Sequence, residues 1–180
     1  MLTLTVNKDT ILKDLELETA NDLFNLINLN RNHLRKWLTW VDDTKYLEDT
    51  IDYIKSVLSG DMFNGRYVLE IWYCNSLVGV IDLHNGDKIN MIIEIGYWLA
   101  EKYQGAGIMT ESCRACINYA FIDLGFNRVV IKCAVANNKS RAIPERLHFI
   151  FEGIEREGQN LNGEYTDLMV FSMLKKDWKG

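Results

Sequence analysis

From Ile92 to Ala134 the chain reads strand, glycine turn, helix, strand, and this unit limits the possible folds more than any other stretch. Ile92 to Leu99 is a β-rich run, Gln104-Gly105-Ala106-Gly107 follows, and Cys113, Cys116, Ile117, Ala120, Phe121 and Leu124 then fall on one helical face that ends at Gly125. Arg128 to Ala134 is the second strand. Two strands joined through a helix lie parallel or splay apart within one sheet. Upstream, the β-rich runs Tyr67 to Tyr73 and Leu77 to Leu83, with turn signals at Asn75-Ser76 and Asn85-Gly86, predict an antiparallel meander. The expectation is an α/β fold whose central sheet is mixed, mostly antiparallel, and flanked by helices.

The remaining segments fit around that sheet. Leu2 to Val6 alternates like an edge strand, and Thr19 is placed to cap a helix carrying Ala20, Leu23, Phe24 and Ile27. A second helical region holds Leu34, Trp37 and Leu38, then resumes as Leu47, Ile51, Ile54 and Leu58 and stops near Gly60. After Ala134 the pattern predicts a helix to about His148 and two last strands, near Ile150 to Ile154 and Tyr165 to Leu174. One proline, no repeat and no low-complexity stretch in 180 residues predict a single domain over 1–180.

Apolar residues are 48% of the sequence, yet no run approaches the ~20 needed to span a bilayer, and MLTLTVNKDT lacks the marks of a signal peptide. The expected location is the cytoplasm, with no membrane partner. The formal net charge of −5 is opposite to a nucleic-acid footprint and suits a cationic acceptor. Cys113 and Cys116 form a C-x-x-C without a second ligand pair inside an apolar helical stripe, so buried free thiols are expected and no metal site.

The run Tyr103-Gln104-Gly105-Ala106-Gly107-Ile108-Met109-Thr110 sets two glycines before a helix whose first amides lack partners, an arrangement that binds phosphate oxygens. A Walker loop is excluded by the missing Gly-Lys-Ser/Thr. A dinucleotide fingerprint is excluded because Thr110 stands where the third glycine belongs.

A third family fits. Glu94-Ile95-Gly96-Tyr97-Trp98-Leu99 followed by Gln104-x-x-Gly107 resembles motif A of the GNAT acetyltransferase superfamily. Met109, where that motif prefers Gly or Ala, resembles the ribosomal-protein N-acetyltransferase branch of RimL/RimJ type. So do Tyr103, Gly105, Gly107, Thr110 and Glu111 around it. The stretch from Asn30 through Arg31, Leu34, Trp37 and Leu38 to Trp40 resembles the same branch, and Asn137-x-x-Ser140-Arg141-Ala142 is similar to motif B. Pro144 and His148 depart from that motif: a first-turn proline loses no intrahelical bond, so a late helix start or a kink is expected at Pro144, and His148 stands in place of a glycine.

The resemblance implies a GNAT fold with splayed strands, acetyl-CoA as donor, and transfer of acetyl to a primary amine. It places the cofactor against Trp98, Leu99, Ala100, Gln104, Gly105, Ala106, Gly107, Ile108, Met109, Thr110, Asn137 and Arg141, through backbone N–H groups at Leu99 and Ala100. Glu94 is the implied base and Ser140 the implied proton donor to the leaving thiolate, with helix capping as the plainer role for Ser140. His33, Trp37, Trp40 and His84 would line the acceptor side. A protein α-amine at pKa 7.7 to 8 is roughly 10–15% neutral at pH 7 and costs about 1 kcal/mol to deprotonate, against about 4–5 kcal/mol for lysine. The resemblance makes a protein N-terminus, with ribosomal proteins as candidates, the favoured acceptor; a polyamine, an aminoglycoside or a non-catalytic acetyl-CoA-binding module is the alternative, and a homo-oligomer is an open partner.

Overall fold

The computed structural model describes residues 2–60 and 66–180. Its strands are β1 (Thr3–Thr5), β2 (Thr10–Asp14), β3 (Tyr67–Tyr73), β4 (Ser76–Asp87), β5 (Ile92–Leu99), β6 (Arg128–Ala134), β7 (Ile150–Leu161) and β8 (Glu164–Leu174). The helices are α1 (Ala20–Leu34), α2 (Leu47–Ser59), α3 (Ile108–Asn118) and α4 (Asn138–Arg146). All eight strands join one sheet in the order β1-β2-β3-β4-β5-β6-β8-β7. Every neighbouring pair is antiparallel except β5 and β6, which run parallel and touch only from Ile92–Arg128 to Glu94–Val130. Beyond Glu94 the two strands part, opening a cleft in the middle of the sheet.

Alternation along the strands produces two cores. On one face Leu69, Ile71, Ile81, Leu83, Ile93, Ile95, Val129 and Ile131 are buried under α3, α4 and the π-turn Tyr119–Asp123. On the other, Val68 and Val80 are covered by Leu23, Ile27, Leu34 and Ile54 of α1 and α2. Those two helices cover only the β3–β5 half of their face. The other half carries Arg128 bonded to Glu152, and Lys132 paired with Glu155 at 3.0 Å. The first face thus meets the helix that follows the glycine turn, and the second is partly open and polar.

Several local expectations change. β2 went unread because it is short; Asn7 Oδ1 accepts from Asp9 N and Thr10 N, and this turn folds the chain back from β1. Thr19 holds the N-cap position of α1, but its side chain makes no capping bond. Its hydroxyl lies on Glu16 O at 2.8 Å and against Glu70 Oε1 instead. The region of Leu34 to Leu38 is the end of α1 and a loop, and a 3-10 turn at Thr39–Asp42 precedes α2. Gly60 stops α2 at φ 71° as expected. Asn85-Gly86 lies within β4 at a register shift, and the β3–β4 hairpin turns on Cys74 and Asn75, both left-handed. β7 is longer than expected because Asn162 (φ 55°) and Gly163 (φ 96°) make a tight hairpin turn into β8.

Glu70 is 1% exposed, and burial raises its pKa while bonds from Thr19 and Trp72 Nε1 (2.9 Å) oppose the shift. A single Thr19 proton serves either Glu16 O or Glu70, so a protonated Glu70 completes the set. An acid whose folded pKa is raised stabilises most below its unfolded value, and that contribution is lost as pH rises through the folded value. Glu70→Gln is therefore expected to gain on wild type as pH increases from 4 to 8, with the difference in thermal midpoints measured at each pH.

Candidate active site

The glycine turn opens the helix side of the cleft. Gly105 (φ 81°) and Gly107 (φ 79°) are both left-handed, and a Cβ built on either meets nothing within 4 Å. The first helical amide to return to a carbonyl is Glu111 N, on Gly107 O at 3.1 Å. The N–H groups before it therefore face the space above the turn. Ile108 and Met109 are buried, 4% and 7% exposed, so their side chains belong to the core and only their amides are offered. This explains the methionine: at that position its side chain fills space beneath the sheet.

Along β5 the register decides which amides point into the cleft. Ala100 N–H donates to Val78 O at 2.8 Å, so the expected contact from Ala100 is already spent within the sheet. Leu99 opposes Gly79 in that ladder as a non-bonded pair, which turns its N–H and C=O toward the gap. The Trp98 ring lies on the face of α1 and α2, 6.3 Å from Trp40, and thus opposite the glycine turn.

Motif B supplies the other wall. Asn137 caps α4, its Oδ1 accepting from Ser140 N at 3.1 Å, so the capping role considered for Ser140 belongs to Asn137. Pro144 lies well inside α4, not in its first turn. Lacking an N–H, it frees the Ser140 carbonyl, and Tyr97 fills the gap: its hydroxyl donates to Ser140 O at 3.1 Å and accepts from Ser140 Oγ at 3.2 Å. Burial holds the Tyr97 phenol well above its ordinary pKa, so it remains a donor. Burial also raises the neighbouring Cys133 thiol to about 11, leaving it neutral. Tyr97→Phe is expected to cost about 1–3 kcal/mol through the orphaned carbonyl, and less in a Pro144→Ala background, where the alanine supplies the missing N–H. Urea denaturation of the four-member cycle measures this. His148 takes φ 59°, a left-handed conformation that glycine adopts more readily.

Two expected site residues hold each other. Gln104 Nε2 donates to His33 Nε2 at 2.8 Å, while Lys139 Nζ donates to Gln104 Oε1 at 2.7 Å. This chain ties α1 to α4 across the mouth of the cleft. Burial lowers the His33 pKa, aided by Lys139 and Lys36 and opposed by Glu101, which matches a neutral ring accepting at Nε2. Arg141 is exposed and paired with Glu145 at 2.6 Å, whereas Arg146, unnoticed in the sequence, reaches Thr110 Oγ1 at 3.4 Å beside the turn.

On the polar face, Glu94 lies 3.8 Å from His84 Nε2 and 3.7 Å from Lys132 Nζ. Trp40, against Trp98, lies on the same face. The β7–β8 hairpin meets the segment after α1, with Asn162 Nδ2 donating to Arg35 O at 2.9 Å and Gln159 to Trp37 O at 3.5 Å. Lys132, Glu155, Asp82, Gln159 and Asn162 carry no local motif in the sequence, and it is strand pairing that brings them to this face. The cleft thus joins a glycine turn with open amides on one face to a carboxylate–imidazole group on the other.

Comparison with known proteins agrees with this geometry. The family model described as the acetyltransferase (GNAT) domain matches residues 9–150. The chain belongs to the GNAT acetyltransferases. It is 41% identical to YdaF of Bacillus subtilis (strain 168) over 100% of this chain and 99% of that one. To the ribosomal-protein-serine acetyltransferase of Escherichia coli (strain K12) it is 32% identical, over 84% and 85%. The solved structure of RimL, a ribosomal L7/L12 alpha-N-protein acetyltransferase in complex with coenzyme A, superposes with a TM-score of 0.89 at 28% identity, covering 96% of this chain and 98% of that one. The expected fold and acetyltransferase class hold. Acetyl-CoA, the donor of GNAT acetyltransferases, fits the residues present: the turn offers unpaired amides and open space above both glycines. Among the described residues no helix is long and apolar enough to cross a membrane.

Proposed function

We propose that this GNAT acetyltransferase acetylates the N-terminal α-amine of a protein, with ribosomal proteins as the acceptors. The observation that carries the reading is the cleft itself, which joins the glycine turn to Glu94 and His84 on the partly open polar face. An α-amine asks little deprotonation of the enzyme. The named activities of the E. coli relative and of RimL support the choice.

In this reading the amides from Gly105 to Thr110 and Arg146 hold the donor's phosphates, and the Leu99 N–H binds in the cleft. Acetyl-CoA supplies the activated thioester. Ser140, fixed by Tyr97, passes a proton to the departing sulfur, and Glu94 attracts the acceptor's ammonium. Mass spectrometry tests the acceptor: Ser- and Ala-starting peptides, formyl-blocked controls, spermidine and an aminoglycoside are incubated with labelled acetyl-CoA. Label is expected on free α-amines alone. Label confined to spermidine or the aminoglycoside contradicts the acceptor; none on any amine contradicts catalysis.

A further inference from the structure

The acceptor's ammonium must lose a proton before its nitrogen can attack, and Glu94 is a crowded receiver. Lys132 lies 3.7 Å from one Glu94 oxygen and is itself 3.0 Å from Glu155. Carboxylates in general titrate near 4 and are badly matched to an amine near 8, whereas imidazole titrates between pH 5 and 8.

His84 is seated in a notch made for it. A Cβ on Gly96 would meet Asp82 Oδ1 at 2.5 Å and His84 Cε1 at 3.0 Å, so β5 needs glycine there for Asp82 and His84 to lie across it. Asp82 Oδ2 is 3.4 Å from His84 Nδ1 and is clamped by Arg66, Nη2 at 2.9 Å and Nε at 3.0 Å. The buried Nδ1 makes no hydrogen bond among the described residues. A cavity of about 170 Å³ lined by Arg66, Asp82, His84 and Asn85 opens beside the ring, room for several waters. Nε2 points the other way, toward Glu94.

We propose that His84, held beside the Arg66-clamped Asp82 in the Gly96 notch, takes the proton from the acceptor ammonium at Nε2 and later gives it to solvent. The inference rests on the α-amine reading above. The nitrogen then attacks the thioester carbon; the C–N bond forms as the C–S bond breaks. Of the ammonium's three protons one stays on the amide, one reaches the sulfur by way of Ser140, and one leaves through His84. The charged and titratable groups around the ring are Asp82 on β4, Arg66 before β3, Tyr53 of α2, and Glu94 with Lys132 and Glu155 beyond it.

The test is the pH dependence of kcat/KM for a Ser-starting peptide at saturating acetyl-CoA. His84→Gln is expected to lose about 100-fold at pH 7 and to recover to within about tenfold of wild type at pH 9, where the amine deprotonates itself. Gly96→Ala, which keeps the imidazole but displaces it, is expected to show the same pH-dependent loss, and added imidazole to rescue His84→Ala. Acetyl-CoA binding by calorimetry should be unchanged in His84→Gln, which separates lost chemistry from a lost fold. A loss of equal size at every pH with no imidazole rescue overturns the proposal, as does a wild-type profile in His84→Gln. An acid limb abolished by Glu94→Gln but not by His84→Gln also overturns it. If wild type labels no peptide, the α-amine reading fails first and takes this inference with it.

Discussion

Gly107→Val is expected to lower kcat/KM for acetyl-CoA by about 100-fold or more while the protein remains folded. At φ 79° a β-branched residue is a backbone outlier, costing about 1–2 kcal/mol. No protein atom lies within 4 Å of the added Cβ, so the side chain projects into space that only a ligand would use. A shift of about 1 Å in a bound donor is enough for about 100-fold. Gly107→Ala separates the two contributions: it brings most of the backbone strain and little of the bulk. Steady-state kinetics with a thermal melt on each variant measure both. A rate loss that merely tracks the fall in stability would contradict a ligand at the turn.

Phe121→Ala is expected to destabilise the protein by about 3–5 kcal/mol, a large part of the 5–15 kcal/mol typical of a domain. Phe121 is 1% exposed beneath the sheet, in the π-turn that ends α3, and its ring lies 6.4 Å from that of Trp178. Trp178 Nε1 donates to Asn118 Oδ1 at 2.6 Å, so the C-terminal segment is fastened to the helix whose other end forms the glycine turn. Urea denaturation should show a lower midpoint with little change in slope. A loss below about 1 kcal/mol would mean that the turn repacks without the ring.

The parts of this fold that were legible in the sequence are those whose local pattern and tertiary role agree. Ile92 to Leu99 and Arg128 to Ala134 match their strands to the residue, and the parallel, splayed junction between them follows from the helix that connects them. Thr19 stands at the expected N-cap position of α1 but makes no capping bond, because a buried carboxyl 51 residues away in sequence competes for its hydroxyl. Pro144 was misread because its missing N–H is compensated by Tyr97, 43 residues from Ser140 in sequence. The grouping of Asp82, His84 and Glu94 depends on the pairing of β4 with β5, interrupted beyond His84 by a register shift. Alternation puts Asp82 with His84 and Glu94 with Gly96, but only register sets His84 opposite Glu94. The chain from His33 through Gln104 to Lys139 links three elements and has no local signature at all.

The central claim, that the cleft above the glycine turn holds the acetyl donor, is tested most directly by following backbone amide signals in ¹H–¹⁵N NMR as coenzyme A is added. Gly105, Gly107 and Leu99 are expected to shift strongly and saturate together, because their N–H groups face the cleft. The Ala100 N–H, bonded to Val78 O, is expected to move much less. Saturable binding that leaves Gly105 and Gly107 unmoved would contradict the account.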